Sequence, residues 1–122
     1  MKQISESEML HRAAAYCSAS ERCIQDVEKK IKAAGLAGEE SGRIVSRLLQ
    51  ERFIDESRFA RYFVNDKLRF NKWGRVKINY EMQRKGIPSS IRSEALEGID
   101  EQEYRSILLS LLKSKKKVTR GK

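Results

Sequence analysis

The chain has 122 residues, 35% of them charged and 39% hydrophobic, with a formal net charge of +9. That is enough for one ordinary domain or a few small repeated units around a modest core, and too apolar for wholesale disorder. No apolar run approaches the length of a membrane span, and the start "MKQISESEML" is too polar and too acidic for a signal or transit peptide.

The first helix start lies at Ile4-Ser5-Glu6-Ser7-Glu8-Met9. Ser5 is a natural N-cap, Glu8 completes a capping box, and Ile4 and Met9 stand where a hydrophobic staple closes. Helices are predicted over residues 6–17, 20–34 and 39–52. The second carries Cys23, Val27 and Ile31 as an i, i+4, i+8 stripe and ends on Gly35 followed by Leu36, a glycine stop. The third has Ile44, Val45, Leu48 and Leu49 on its apolar face. Cys23 reads as a small hydrophobe.

The same start returns at Ile54-Asp55-Glu56-Ser57-Arg58-Phe59, with Asp55 as cap and Ile54 facing Phe59. Helices are predicted over 56–69, 72–85 and 88–97. Wound as a helix, residues 56–69 put Phe59, Ala60 and Phe63 on a core face that continues to Phe70, with Arg58, Arg61, Asn65 and Arg69 opposite. Trp73 stands at the helix junction between Lys72 and Arg75. Residues 76–82 alternate like a strand, but counting back from Gly86 aligns Gly74, Ile78 and Met82 with Cys23, Val27 and Ile31. Since "CIQDVEKKIKAAG" has helix period, both segments are read as helices. Pro88 opens the next helix, with Ile91, Ala95 and Leu96 facing inward.

A third start follows at Ile99-Asp100-Glu101-Gln102-Glu103-Tyr104, leading into Tyr104, Ile107, Leu108, Leu111 and Leu112 on one face. Three staples at near-equal spacing mark an internal repeat. The predicted fold is all-α: tandem three-helix units in an elongated, curved array, with residues 1–54 and 55–98 as two units. Residues 99–122 then form the first helix of a third, incomplete unit and its basic tail. The tail, residues 113–122, has six cations and no acid, and its end is expected to fray.

Charge is unevenly spread. Residues 1–55 hold nine basic and nine acidic side chains, so the excess lies wholly in the second half. A one-sided basic balance points to an acidic partner such as nucleic acid or an acidic protein groove. The rings of Phe59 and Phe63 hold the unit together, and the cations are what a partner meets. The expected contact face comprises Arg58, Arg61, Arg69, Lys72, Trp73, Arg75, Lys77, Arg84 and Lys85. No phosphate-cradling glycine loop or nucleophile beside a base stands in the sequence. Cys17 and Cys23 fit neither a zinc motif nor a disulfide framework, and His11 has no partner at ligand spacing. No enzyme activity, metal or cofactor is expected, and the chain reads as cytoplasmic with reduced thiols.

Residues 53–64, "FIDESRFARYFV", the run Trp73-Gly74-Arg75-Val76-Lys77-Ile78, then Glu81-Met82 and Lys85-Gly86-Ile87, resemble the RecX family of bacterial regulatory proteins. The likeness extends over roughly residues 15–112 and is most specific over 53–87. It implies tandem three-helix units, in agreement with the repeat. It also implies a function that composition does not give: binding the filament that the recombinase RecA forms on single-stranded DNA, lying in its groove, and suppressing its ATPase, strand-exchange and co-protease activities. The expected partners are the RecA filament and single-stranded, with some double-stranded, DNA, met by a monomer and no membrane. The other reading is a helical DNA-binding protein that acts without RecA. Family members usually carry three complete units, whereas this chain stops after the first helix of the third.

Overall fold

A computed structural model describes residues 4–120, with side chains to Lys113. Those residues form seven helices and no strand: α1 (Glu6–Ala19), α2 (Ile24–Ala33), α3 (Glu39–Gln50), α4 (Glu56–Arg69), α5 (Arg75–Arg84), α6 (Ser89–Glu97) and α7 (Glu101–Arg120). Residues 76–82 are helical, as the repeat requires. α2 and α5 each begin several residues later than the sequence suggests. In the first case Ser20 (φ −165°, ψ 162°) and Cys23 (φ −92°, ψ 170°) are extended. In the second, Lys72 takes a left-handed φ of 58° and Gly74 is extended.

The starts are built as the residues imply. The Ser5 hydroxyl accepts from the Glu8 amide at 3.1 Å, and the Asp55 carboxylate accepts from the Arg58 amide at 3.0 Å. Asp100 accepts from the amides of Gln102 and Glu103 at 2.8 and 3.1 Å. Each cap satisfies a donor that the helix cannot satisfy itself. Ile4 and Met9 share the first core and Ile99 and Tyr104 the second, so the first and third staples close on apolar contacts, whereas Ile54 is buried in the first core and Phe59 in the second.

Both glycine stops adopt one geometry. Gly35 (φ 93°) and Gly86 (φ 80°) are left-handed, a region where a Cβ is strained. The next amides, of Leu36 and Ile87, reach back to the carbonyls of Ile31 and Met82 at 3.3 and 3.1 Å. This closes the Schellman hydrogen bond and drives an apolar side chain under the helix end. Leu36 and Ile87 are buried accordingly.

Two cores result. In the first, α1, α2 and α3 pack pairwise around Met9, Ala13, Cys17, Val27, Ile31, Leu36, Ile44, Leu48 and Ile54. In the second, α4, α5 and α6 pack around Phe59, Ala60, Phe63, Val64, Leu68, Ile78, Met82, Ile87 and Ala95. α7 lies on α4 and contributes Ile107 to that core. Cys23 also belongs to the second core although it precedes α2, so the first unit sends a side chain into its neighbour.

Several expected core residues are exposed. Phe70 caps the C-terminus of α4, where the chain turns off the helix axis, and its ring is 80% exposed. Leu49 lies one step beyond the Ile44–Val45–Leu48 face and is exposed. Leu108 and Leu112 are exposed because only the α4 side of α7 is covered among the described residues. The tail also differs from expectation. α7 continues through Arg120 because no Gly or Pro interrupts residues 101–120, and Gly121 and Lys122 lie outside the described residues.

Asp55→Ala should lower stability by about 1 kcal/mol, a typical N-cap loss read by urea denaturation. The Arg58 amide, with the Arg58 and Arg61 charges, holds the Asp55 carboxyl below its ordinary value. Its contribution is therefore full above the ordinary aspartate range and disappears as pH falls through the depressed value. The gap between parent and variant should close in acid. Phe59 and Phe63 stack at 5.7 Å inside the second core. Truncating either to Ala should cost about 3–5 kcal/mol by the same measurement.

Candidate partner-binding face

The nine residues expected to meet a partner fall into two groups. Four of them hold the helices of this chain to one another. Arg58 donates from Nε to Glu21 at 2.7 Å and from Nη2 to the carbonyls of Arg52 and Phe53. Arg69 bonds both oxygens of Glu103 on α7, at 2.8 and 3.2 Å. Arg75 pairs with Glu101, and its guanidinium lies 4.1 Å from the centre of the Tyr104 ring. Lys85 donates to Asp26 at 3.2 Å.

The other five remain at or near the surface. Arg61 is exposed, beside a shallow cleft against Glu94 and Ala95 on α6. Lys72 is exposed at the left-handed corner between α4 and α5. Trp73 is half-buried, edge-on to Phe63 at 6.3 Å. Lys67 Nζ and Lys77 Nζ stand 5.2 and 4.7 Å from its ring centre. Such contacts are favourable and keep ammonium groups against a ring without neutralising them. Among the described residues Arg84 pairs with Glu81 alone, one turn away at 3.6 Å, and its side chain is largely exposed.

Three further residues join this corner. Val76 is 86% exposed, Tyr80 57%, and Phe70 sits on the approach to α5. Val76 and Tyr80 are i, i+4 neighbours and so share one face of α5. A signal for them exists in the repeat register. Counted from the two glycine stops, Val76 and Tyr80 occupy the positions of Gln25 and Lys29 in α2. The outward positions of α2 are polar; those of α5 carry a valine and a phenol. The corner therefore combines exposed rings with the cations Lys72, Lys77 and Arg84, a chemistry suited to phosphates, acidic side chains and flat apolar groups.

No group of His, Cys, Asp or Glu that could hold a metal occurs among the described residues, and no described helix is long and apolar enough to cross a membrane. Both thiols are buried. Burial pushes the Cys17 thiol up and raises Cys23 to about 11, so neither forms a ready thiolate.

Residues 55–96 match the family model described as RecX, second three-helix domain. The regulatory protein RecX of Prosthecochloris aestuarii is 33% identical over 91 residues, covering 75% of this chain and 60% of that protein. The RecX of Lactobacillus johnsonii is 26% identical over 113 residues, covering 93% of this chain and 42% of its own length. The chain thus spans 60% and 42% of the lengths of these relatives. A crystal structure of RecX from Lactobacillus salivarius superposes with a TM-score of 0.79 at 20% identity, covering 89% of this chain and 71% of that one. A second crystal structure of a regulatory protein RecX gives 0.81 at 21% identity over 96% of this chain and 60% of that one. At such identity these two structures speak for the fold. The relatives are named as regulatory proteins and not as enzymes.

The division between joining and surface cations has a thermodynamic signature. Reversing Arg61 or Lys72 to Glu should cost no more than about 0.5 kcal/mol, since both are exposed and the one attraction lost is the longer-range one between Arg61 and Asp55. Arg75→Glu should cost about 1 kcal/mol or more, since it loses a carboxylate and a ring and sets like charges together. Urea titrations of the three variants make the comparison.

Proposed function

The chain belongs to the RecX family of bacterial regulatory proteins, and on that premise we propose that it binds the RecA filament on single-stranded DNA. Binding suppresses the filament's ATPase, strand-exchange and co-protease activities, and so restrains recombination and the SOS response. The protein acts in the cytoplasm as a monomer, with residues 1–54 and 55–98 as its two units and residue 99 onward opening a third. The observation that carries the reading is the α4–α5 corner. There Lys72 and Lys77 flank Trp73 beside the exposed Phe70 and Val76, and Tyr80 and Arg84 continue along α5, within the segment that matches the family.

The physical account runs from charge to groove. A tandem helical array offers an extended face that can follow a helical groove, and an unneutralised basic corner on it speeds encounter with an acidic or DNA-lined surface. Arg61 stands apart from that corner, on the side of α4 that meets α6. Arg58, Arg69, Arg75 and Lys85 hold the face in place, and their remaining donors are open to a partner.

Exposed rings beside cations also suit stacked bases, which favours a second reading in which the corner grips naked single-stranded DNA. Salt separates the two. Naked-DNA binding would fall steeply with salt and need no RecA.

The test is RecA's DNA-dependent ATPase. Lys72→Glu with Lys77→Glu should weaken inhibition by about an order of magnitude or more, because like charges replace contact charges, while stability falls by only about 0.5–1 kcal/mol with the loss of the Lys77–Trp73 contact. Arg12→Glu with Lys29→Glu, both exposed on the first unit, should change inhibition little. Equal inhibition by the two double variants would remove the corner from the contact. Inhibition that tracks naked-DNA affinity across all variants would favour the second reading.

A further inference from the structure

The first amides of a helix have no intrahelical partner, and an N-cap side chain ordinarily reaches only the second or third of them, as Ser5 and Asp55 reach Glu8 and Arg58. The amide of the first residue must find its acceptor elsewhere. In α2 and α5, which follow Cys23 and Gly74, that acceptor comes from the next unit. The first amide of α2, on Ile24, donates to Glu56 Oε2 of α4 at 3.1 Å. The first amide of α5, on Arg75, donates to the Tyr104 hydroxyl of α7, also at 3.1 Å.

Around each of these bonds lies a set of charge pairs across the same boundary. At the first joint Arg58 meets Glu21, Lys85 meets Asp26, and the Gln25 side-chain amide donates to the Arg84 carbonyl at 3.2 Å. Cys23 is buried in the second core at this point. At the second joint Arg69 meets Glu103 and Arg75 meets Glu101. Tyr104 also lies against Gly74, where an added Cβ would stand 3.4 Å from its hydroxyl, in van der Waals contact.

We propose that Glu56 with Arg58 at the first joint, and Tyr104 with Arg75 at the second, are positioning residues that lock successive three-helix units at a fixed angle before any partner is met. Joined units with a small polar boundary ordinarily move relative to one another. Here a helix start on one side is completed only when the other side is in place, so rotation about the joint exposes an unsatisfied amide and breaks several charge pairs together. The claim concerns the free protein and holds whichever partner the corner binds.

The experiment reads the angle directly. Spin labels at Ala15→Cys and Ser93→Cys, exposed on α1 and α6, report the distance between the first two units by pulsed electron resonance. The buried Cys17 and Cys23 are poor labelling sites. The parent should give one narrow distribution. Glu56→Ala with Arg58→Ala should broaden it about twofold while helix content by circular dichroism stays unchanged. Glu56→Gln should keep it narrow, because the amide oxygen still accepts from Ile24. Hydrogen exchange at the Ile24 amide should quicken in the Ala variant and not in the Gln variant. A distribution equally narrow in all three proteins would overturn the proposal. So would Glu56→Gln broadening as far as the double Ala variant, since charge and not the hydrogen bond would then set the joint.

Discussion

The first amide of α2 and of α5 has no acceptor within its own helix, and each finds one across a joint between units. Much of the arrangement follows from those two bonds. Glu56 can reach Ile24 only if α4 starts beside the start of α2, and Tyr104 can reach Arg75 only if α7 crosses the start of α5. Once those starts are adjacent, the first turns of α4 and α7, rich in acids and arginine, come within range of the neighbouring unit. The charge pairs at the joints are a consequence of where the helices begin. Glu56 shows the cost of this arrangement: burial, with Glu28 and Asp26 nearby, raises its carboxyl above the ordinary value despite the bond from Ile24. Burial pushes Asp26 the same way. The bonds it accepts from Cys23 and Lys85 outweigh that burial, and its value falls. The joint is a balanced set of charges, and neither carboxylate alone describes it.

Joint-building also sorts the basic residues. Net charge locates the excess in the second half of the chain, but Arg58, Arg69, Arg75 and Lys85 are held by carboxylates of this same chain. Lys72, Lys77 and Arg84 lack a neighbouring-unit carboxylate among the described residues, and Lys77 stands over the Trp73 ring beside the exposed Val76. A potential at the surface depends on unneutralised charge, so the α4–α5 corner contributes more to attraction than its share of cations suggests.

The fold was largely legible because its signals are local. The Ser5, Asp55 and Asp100 caps, their staples, and the glycine stops at Gly35 and Gly86 each depend on residues within one turn. Repetition fixed the ambiguous segment, residues 76–82, as a helix against its own alternation. The candidate face was legible in chemistry and poorly legible in geometry. A helical wheel places Arg58 and Arg69 outward on α4, which is correct, but it cannot see Glu21 and Glu103, 37 and 34 residues away, come to meet them. Phe70 was misplaced because a wheel assumes the helix goes on, whereas the chain turns at that residue. Tyr80 and Val76 do not show in the buried stripe, which the two units share; they show only in the outer positions, where α5 departs from the polar residues of α2.

The central claim is that the α4–α5 corner is the surface presented to the RecA–DNA filament, and hydrogen–deuterium exchange of the protein alone and bound to filament tests it most directly. Slow exchange should appear on binding over residues 70–84, with little change in α3. Protection confined to α1 and α3, with residues 70–84 exchanging as in the free protein, would contradict the claim.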